Sequence, residues 1–401
     1  MSVRRQLPAS SPLGARAILA GVRAAAVGPG PYEHRLSAWV RTRFGPLDHL
    51  AADSGTTALS LAIRTALEER DGPVALPAYS CYDVATAAIG AGARVALYDV
   101  SPETLGPDLD SLRSVIRDGA IAIVVAHLYG LPVDLSPVRE LARESDAAVI
   151  EDAAQGIGGA FRGRPLGTLG DVGVLSFGRG KGLTGGAGGL LLANNELGRR
   201  LLERARPVPG AGRRGWADLA RATATWILGR PELYRVPTAI PLLRLGDTVY
   251  RRPHVPRLGT AAMHGVLSRT TMSVEAEAET RRRHAGRLLA ALSAAEAPLR
   301  PFPVPTGATP GYLRLPLLSR ESGVRDLARD AGRDLGVMPG YPMPLSRLPP
   351  LRDALTPSSH GDVPGARALA ERLLTLPTHG RLTEGDCRRL EAWLRERAPA
   401  F

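Results

Sequence analysis

The run SFGRGKGLTGGAGG, residues 176–189, sets Lys181 among glycines. Upstream, AAVIED (147–152) is an apolar strand that ends in acid, and AIAIVVAHLYG (120–130) precedes it. Within that stretch, IAIVVAH (121–127) reads as a strand buried on both faces, as a central parallel strand would be. A lone lysine among glycines is as easily a loop facing water. A strand ending in acid, then a hydroxyl, then a glycine-held lysine, in that order, favours catalysis by the amine.

Strands and helices alternate on either side of this centre. Asp53-Ser54-Gly55-Thr56-Thr57 leads into a helix to about Arg70, after a first helix over 31–45. VALP (74–77) is a short strand, followed by a helix near 82–90, the strand VALYDV (95–100) and a helix over 109–116. SPVRELARES (136–145) reads as a helix capped by Ser136, with Pro137 at its first position. GVLSFG (173–178) and GGLLLAN (188–194) complete the strands. This βα spacing predicts an α/β fold with an open, mostly parallel sheet flanked by helices. Residues 201–270 show little periodicity and read as an irregular insertion or dimer-contact region. Residues 271–401 read as a smaller C-terminal α/β domain: a helix near 272–294, a strand over 312–318, helices over 322–332 and 361–377, and a last helix over 383–397.

Composition excludes several classes. No apolar run reaches the roughly 18 residues of a membrane span. Cys81 and Cys387 are the only cysteines, which excludes a disulfide scaffold or thiol metal cluster and fits a cytoplasmic address. The net charge of +12 comes from arginines spread along the chain, with lysine nearly absent and aromatics at 4%. Without a basic block or stacking platforms, nucleic acid is not an expected partner. The histidines show no ligand spacing, so no metal site is expected.

A strand-end acid, hydroxyls and a lysine are the groups needed to grip pyridoxal 5′-phosphate and hold it through an imine. The quoted motifs, together with SGTTAL (54–59), PAYSCYDVATAAIGAGARVALYDV (77–100), AHLYGLPVDL (126–135) and LPTHGRLTEGD (376–386), carry a specific resemblance. The chain resembles the DegT/DnrJ/EryC1/StrS family of pyridoxal phosphate-dependent sugar aminotransferases, of fold type I. The resemblance runs from about Tyr32 to about Leu394 and makes residues 1–200 the large cofactor-binding domain.

The resemblance implies a role for each matched residue. Lys181 is the lysine that bonds the cofactor aldehyde. Asp152 pairs with the pyridinium nitrogen, and Gln155 neighbours the ring 3-oxygen. Ser176 supplies a phosphate hydroxyl, and Gly55, Thr56 and Thr57 open a helix whose N–H groups suit the phosphate. Glu151, one residue from Asp152, should face the opposite way and reads as a structural ion pair. His127 and Tyr129 end the central strand, facing the ligand crevice, and His379 lies near the substrate mouth. For both histidines a purely structural role is an equal alternative.

The chain also departs from the family. The usual aromatic platform over the ring is matched by Cys81, so that either the thiol or a rotated Tyr82 covers it. Ala187 stands where glutamate is frequent. An Asn-x-Arg-Met segment lent across the dimer is missing, and Arg244, Arg251, Arg252 and Arg257 are candidate substitutes. The implied activity moves an amino group from L-glutamate to a nucleotide-linked keto-sugar, in a homodimer. The alternatives are a non-catalytic regulatory or scaffold protein that kept the fold, and a sugar dehydratase, in which relatives replace the lysine with histidine.

Overall fold

The computed structural model describes residues 4–206, 208–210, 212–238, 248–294, 298–324, 328 and 334–396. Its main sheet is built from β1 (Asp48–Ala52), β2 (Val74–Pro77), β3 (Val95–Tyr98), β4 (Ala122–Ala126), β5 (Ala148–Asp152), β6 (Val172–Ser176) and β7 (Gly189–Ala193). They lie in the order β1-β7-β6-β5-β4-β2-β3. The five strands from β6 to β3 are parallel, and β7 and β1 add antiparallel at one edge. Every residue of β2, β3, β4, β6 and β7 is buried, which explains why these strands read as unbroken apolar runs. Three of the parallel strands end at Ala126, Asp152 and Ser176. The loops after them and after Pro77 open at one edge of the sheet, where ligands of such folds collect.

A second sheet, β8 (Leu299–Pro301), β9 (Leu315–Ser319), β10 (Met338–Pro339) and β11 (Leu373–Leu376), forms the C-terminal α/β unit in the order β8-β9-β11-β10. The single helix expected over 361–377 is a helix Pro364–Arg372 followed by β11. Leu373, Leu374 and Leu376 continue an apolar pattern that a helix would also show. Pairing with Leu315–Leu318 and Met338 decides for a strand. The expected helix over 322–332 falls mostly outside the described residues, as do Ile240, Pro241, Leu242, Leu243 and Arg244.

Two local expectations change. The helix Ser136–Ser145 is preceded by Leu135 without a side-chain cap; Ser136 is already helical, and its N–H donates to Asp134 Oδ1 at 2.8 Å. The region 201–270 carries the helices Trp216–Leu228 and Ala261–Thr270, the latter largely buried. The N-terminal stretch crosses to the C-terminal unit, where the Gln6 N–H donates to Asp334 O at 2.9 Å and His379 Nε2 bonds Leu7 O at 2.9 Å.

Candidate functional site

One open cavity gathers Gly55, Thr56, Ser80, Cys81, Asp83, His127, Asp152, Gln155, Ser176 and Lys181. These residues come from the ends of β2, β4, β5 and β6, from the helix Gly55–Glu69 and from the lysine loop.

At one end, Ser54 caps the helix Gly55–Glu69 by accepting the Thr57 N–H at 3.0 Å. Thr57 gives its hydroxyl to Asp53 Oδ1 at 2.6 Å, so it builds the cap and does not line the cavity. Gly55 lies against Ser176, and a β-carbon there would stand 2.6 Å from Ser176 Cβ. That contact joins a helix N-terminus to a hydroxyl at a strand end. Ser176 Oγ has no hydrogen-bond partner among the described residues. Ser80, 1% exposed, lines the same cavity, and its Oγ is buried without a partner. Ser80 was not among the residues singled out from sequence; a hydroxyl beside Cys81 carries no signal of its own.

At the other end, Asp152 Oδ1 accepts the Ala154 N–H at 3.0 Å. Burial raises the Asp152 carboxyl above its usual range, and the Ala154 N–H and the Lys181 charge pull it back. Gln155 is clamped by two tyrosines: its Oε1 accepts the Tyr129 N–H at 3.1 Å, and its Nε2 donates to Tyr341 Oη at 2.8 Å. Tyr341, from the C-terminal unit, stacks on Tyr129 with ring centroids 5.7 Å apart. It belongs to this wall although no sequence motif marks it.

Glu151 and Asp152 point to opposite faces. Glu151 is fully buried and accepts the N–H groups of Gly167 at 2.6 Å, Leu169 at 2.5 Å and Gly170 at 3.1 Å. His127 Nδ1 accepts the Val133 N–H at 3.0 Å, so the ring carries its proton on Nε2 and donates it to Glu151 Oε1 at 2.8 Å. Both ring nitrogens of His127 are thus committed, and its side chain is fully buried. Tyr82 is 5% exposed and packs into the core, whereas Cys81 faces the cavity. Burial and the neighbouring Asp83 push the Cys81 thiol up to about 12, so it stays protonated.

Lys181 is the only lysine in the chain. Gly180, at φ +73°, turns the backbone into its loop, and the Lys181 carbonyl accepts Ser11 Oγ–H at 2.6 Å. His379 is not brought to the cavity: it is 1% exposed, tied to Leu7 O and to the Arg381 N–H. Arg251 and Arg252 are exposed and also lie away from the cavity lining. Among the described residues no cluster of His, Cys, Asp or Glu is placed to hold a metal ion, and no helix is long and apolar enough to cross a membrane.

The donors fit pyridoxal 5′-phosphate. The orphaned buried hydroxyl of Ser80, the Ser176 hydroxyl lining the same cavity and a helix N-terminus suit a phosphate, and the half-buried Asp152 carboxylate suits a protonated ring nitrogen. A lysine opens into the same space.

The parallel sheet, the strand-end site and the second sheet define a fold type I transferase. The profile of the DegT/DnrJ/EryC1/StrS aminotransferase family matches residues 16–218, and the chain belongs to that family. Similar proteins include a GDP-perosamine synthase of Caulobacter vibrioides, 31% identical over 52% of this chain and 61% of that one. An L-glutamine:2-deoxy-scyllo-inosose aminotransferase of Streptomyces kanamyceticus is 34% identical over 44% of this chain and 43% of that one. The chain spans about half the length of the curated relatives it matches. Among solved structures, the aminotransferase TlmJ from Streptoalloteichus hindustanus superposes with a TM-score of 0.74 at 26% identity over 98% of both chains.

Proposed function

We propose that the chain is a pyridoxal phosphate-dependent aminotransferase that moves an amino group from L-glutamate to a keto group on a nucleotide-linked sugar. The observation that carries this reading is the single cavity shared by Lys181, Asp152 and the Gly55–Ser176 contact. The relatives' names, a synthase of GDP-perosamine and an aminotransferase using L-glutamine, support amino transfer and make L-glutamine the second donor to test.

When bound, the cofactor supplies an electron sink for the carbanion formed at the donor's α-carbon. Asp152 keeps the proton on the ring nitrogen, and the charge it meets there favours its ionised form. Gly55, Thr56, Ser80 and Ser176 would hold the phosphate. Lys181 would hold the cofactor covalently, and its amine, when free, would take the proton from the donor's α-carbon. Cys81 replaces an aromatic cover with a small neutral one.

The homodimer stays part of this proposal. Trp216 (54% exposed), Val236 (59%), Val255 (67%) and Met272 (77%) put apolar surface on the stretch 216–272, which a partner subunit would cover. A cytoplasmic location rests on the two free cysteines.

Borohydride reduction of the protein with pyridoxal phosphate should modify a single internal residue, because there is one lysine to trap. The adduct should be absent in Lys181→Ala, and L-glutamate should yield 2-oxoglutarate in wild type. A retained cofactor band with no 2-oxoacid from glutamate or glutamine would favour a non-catalytic relative.

A further inference from the structure

Lys181 sits in a loop with little of its own to hold it. Glycines at 178, 180 and 182 flank it, and glycine gives a backbone its widest conformational freedom. The Lys181 N–H reaches Gly178 O only at 3.4 Å. Firmer bonds begin at Thr184, where Thr184 Oγ1–H and the Gly185 N–H both donate to Phe177 O at 3.0 Å. Among the described residues, the one side chain that bonds the Lys181 backbone is Ser11, whose Oγ–H donates to the Lys181 carbonyl at 2.6 Å. An amine that must meet both a cofactor and a donor carbon needs its backbone fixed, and a free glycine loop loses that placement to entropy.

Ser11 is itself held by a strap. Residues 4–14 form no helix or strand, yet Gln6, Leu7, Ser10 and Ser11 are buried. The strap is pinned to the C-terminal unit: the Gln6 N–H donates to Asp334 O at 2.9 Å, Leu7 O accepts from His379 Nε2 at 2.9 Å, and Ser10 Oγ accepts from Arg381 Nε at 3.0 Å. A second contact reaches the lysine loop, since Ala9 Cβ lies 3.9 Å from where a β-carbon on Gly180 would stand. Just after the lysine, Gly182 backs onto the fully buried Arg281, whose Nη1 and Nη2 would each lie 3.2 Å from a β-carbon there. Arg281 is fixed in turn by Ile157 O at 2.9 Å and Gly311 O at 2.8 Å. The residues on either side of Lys181 are thus packed by groups far away in sequence, and its own carbonyl is tied by Ser11.

We propose that Ser11 is a positioning residue for Lys181: its hydroxyl fixes the lysine's carbonyl so that the amine stays aimed into the cavity. This rests on the aminotransferase reading of the Lys181 cavity. Ser11 is not among the residues lining that cavity, so its effect passes through the lysine backbone and not through contact with cofactor or substrate. Through residues 4–14 the same bond makes the C-terminal unit part of the lysine's support.

Lys181 is the chain's only lysine, so a lysine-specific endoprotease has one internal bond to cut. Its rate on the folded, cofactor-free protein reads how often this loop opens. Ser11→Ala removes one oxygen and adds no volume. It is expected to speed the cut by about fivefold, the worth of one hydrogen bond. In the pyridoxal phosphate-loaded protein it is expected to slow single-turnover release of 2-oxoacid from L-glutamate or L-glutamine by about five- to tenfold, with half-saturating donor concentration and cofactor affinity within about twofold of wild type. Ser10→Ala is the control: it loses the Arg381 bond of the strap, keeps the Lys181 contact, and should match wild type in both assays. Unchanged cleavage and turnover in Ser11→Ala, equal changes in Ser10→Ala, or a loss in donor affinity with the rate kept overturns the proposal. A wild type that yields no 2-oxoacid, with faster cleavage in Ser11→Ala alone, sinks the aminotransferase reading and leaves the Ser11 tie to Lys181 standing.

Discussion

Gly55 and Ser176 touch so closely that position 55 has no room for a side chain. A β-carbon there would lie 2.6 Å from Ser176 Cβ and 2.7 Å from its Oγ. Alanine is otherwise the better helix residue, so helix propensity alone would make Gly55→Ala stabilising. The clash reverses that sign. Gly55→Ala is expected to lower stability by about 1–3 kcal/mol and to weaken pyridoxal phosphate binding by at least about tenfold. Urea titration and equilibrium dialysis read the two effects. A variant as stable as wild type with normal cofactor affinity would show that the contact matters to neither.

Ser80 makes the opposite prediction for the two states. Its buried hydroxyl has no partner in the protein. Removing it in Ser80→Ala takes away an unmet hydrogen bond, so the cofactor-free protein should be unchanged or more stable by up to about 1 kcal/mol. The same change should reduce the extra stability gained on adding pyridoxal phosphate, read as a smaller shift in melting temperature. An equal shift in wild type and variant would remove Ser80 from the phosphate site.

How far the site could be read from sequence depended on distance along the chain. β2 to β7 were readable to within a residue or two because strands buried on both faces are short apolar runs. Lys181, Asp152, Ser176 and Gly55, singled out from their motifs, line one cavity: Asp152 and Ser176 end strands, Lys181 lies in the loop after one, and Gly55 opens a helix. Thr57 and Tyr82 do not, because one turn of helix decides which neighbour faces the cavity, and that turn is set by capping and core packing. Tyr341 reaches Gln155 only by docking of the second sheet, which no local pattern encodes. β11 was misread because its leucines fit helix and strand periods alike.

His379 makes stability depend on pH. Burial lowers its pKa to about 4, while its Nε2–H donates to Leu7 O. The unfolded chain takes up a proton near the ordinary value of about 6.5, and the folded protein resists until about 4. Between these values the unfolded state binds more protons, so stability falls as pH falls. The full loss from this group is about 3 kcal/mol, complete near pH 4. Other groups titrate in the same window, so the comparison is with His379→Gln, which keeps a donor for Leu7 but cannot take up the proton. Denaturant titrations at pH 7, 5.5 and 4 should show wild type losing more than the variant. Parallel losses would mean that the ring titrates normally in the folded protein.

Arg251 and Arg252 test the dimer. They are exposed, and neither lines the cavity of its own chain, so a role in sugar binding requires that they reach a partner's site. The local backbone is anchored independently of their side chains, since the Arg251 carbonyl accepts Thr86 Oγ1–H at 2.8 Å. The Arg251→Ala, Arg252→Ala double variant should therefore fold and bind pyridoxal phosphate normally. Its affinity for nucleotide-linked sugars should drop by about tenfold, and high salt should reduce wild-type affinity toward the same level. Light scattering should give a dimer for both proteins. A monomeric wild type with full activity when dilute would remove the interface. A dimer whose sugar affinity ignores the two substitutions would remove only the arginines, and the cavity around Lys181 would stand as described.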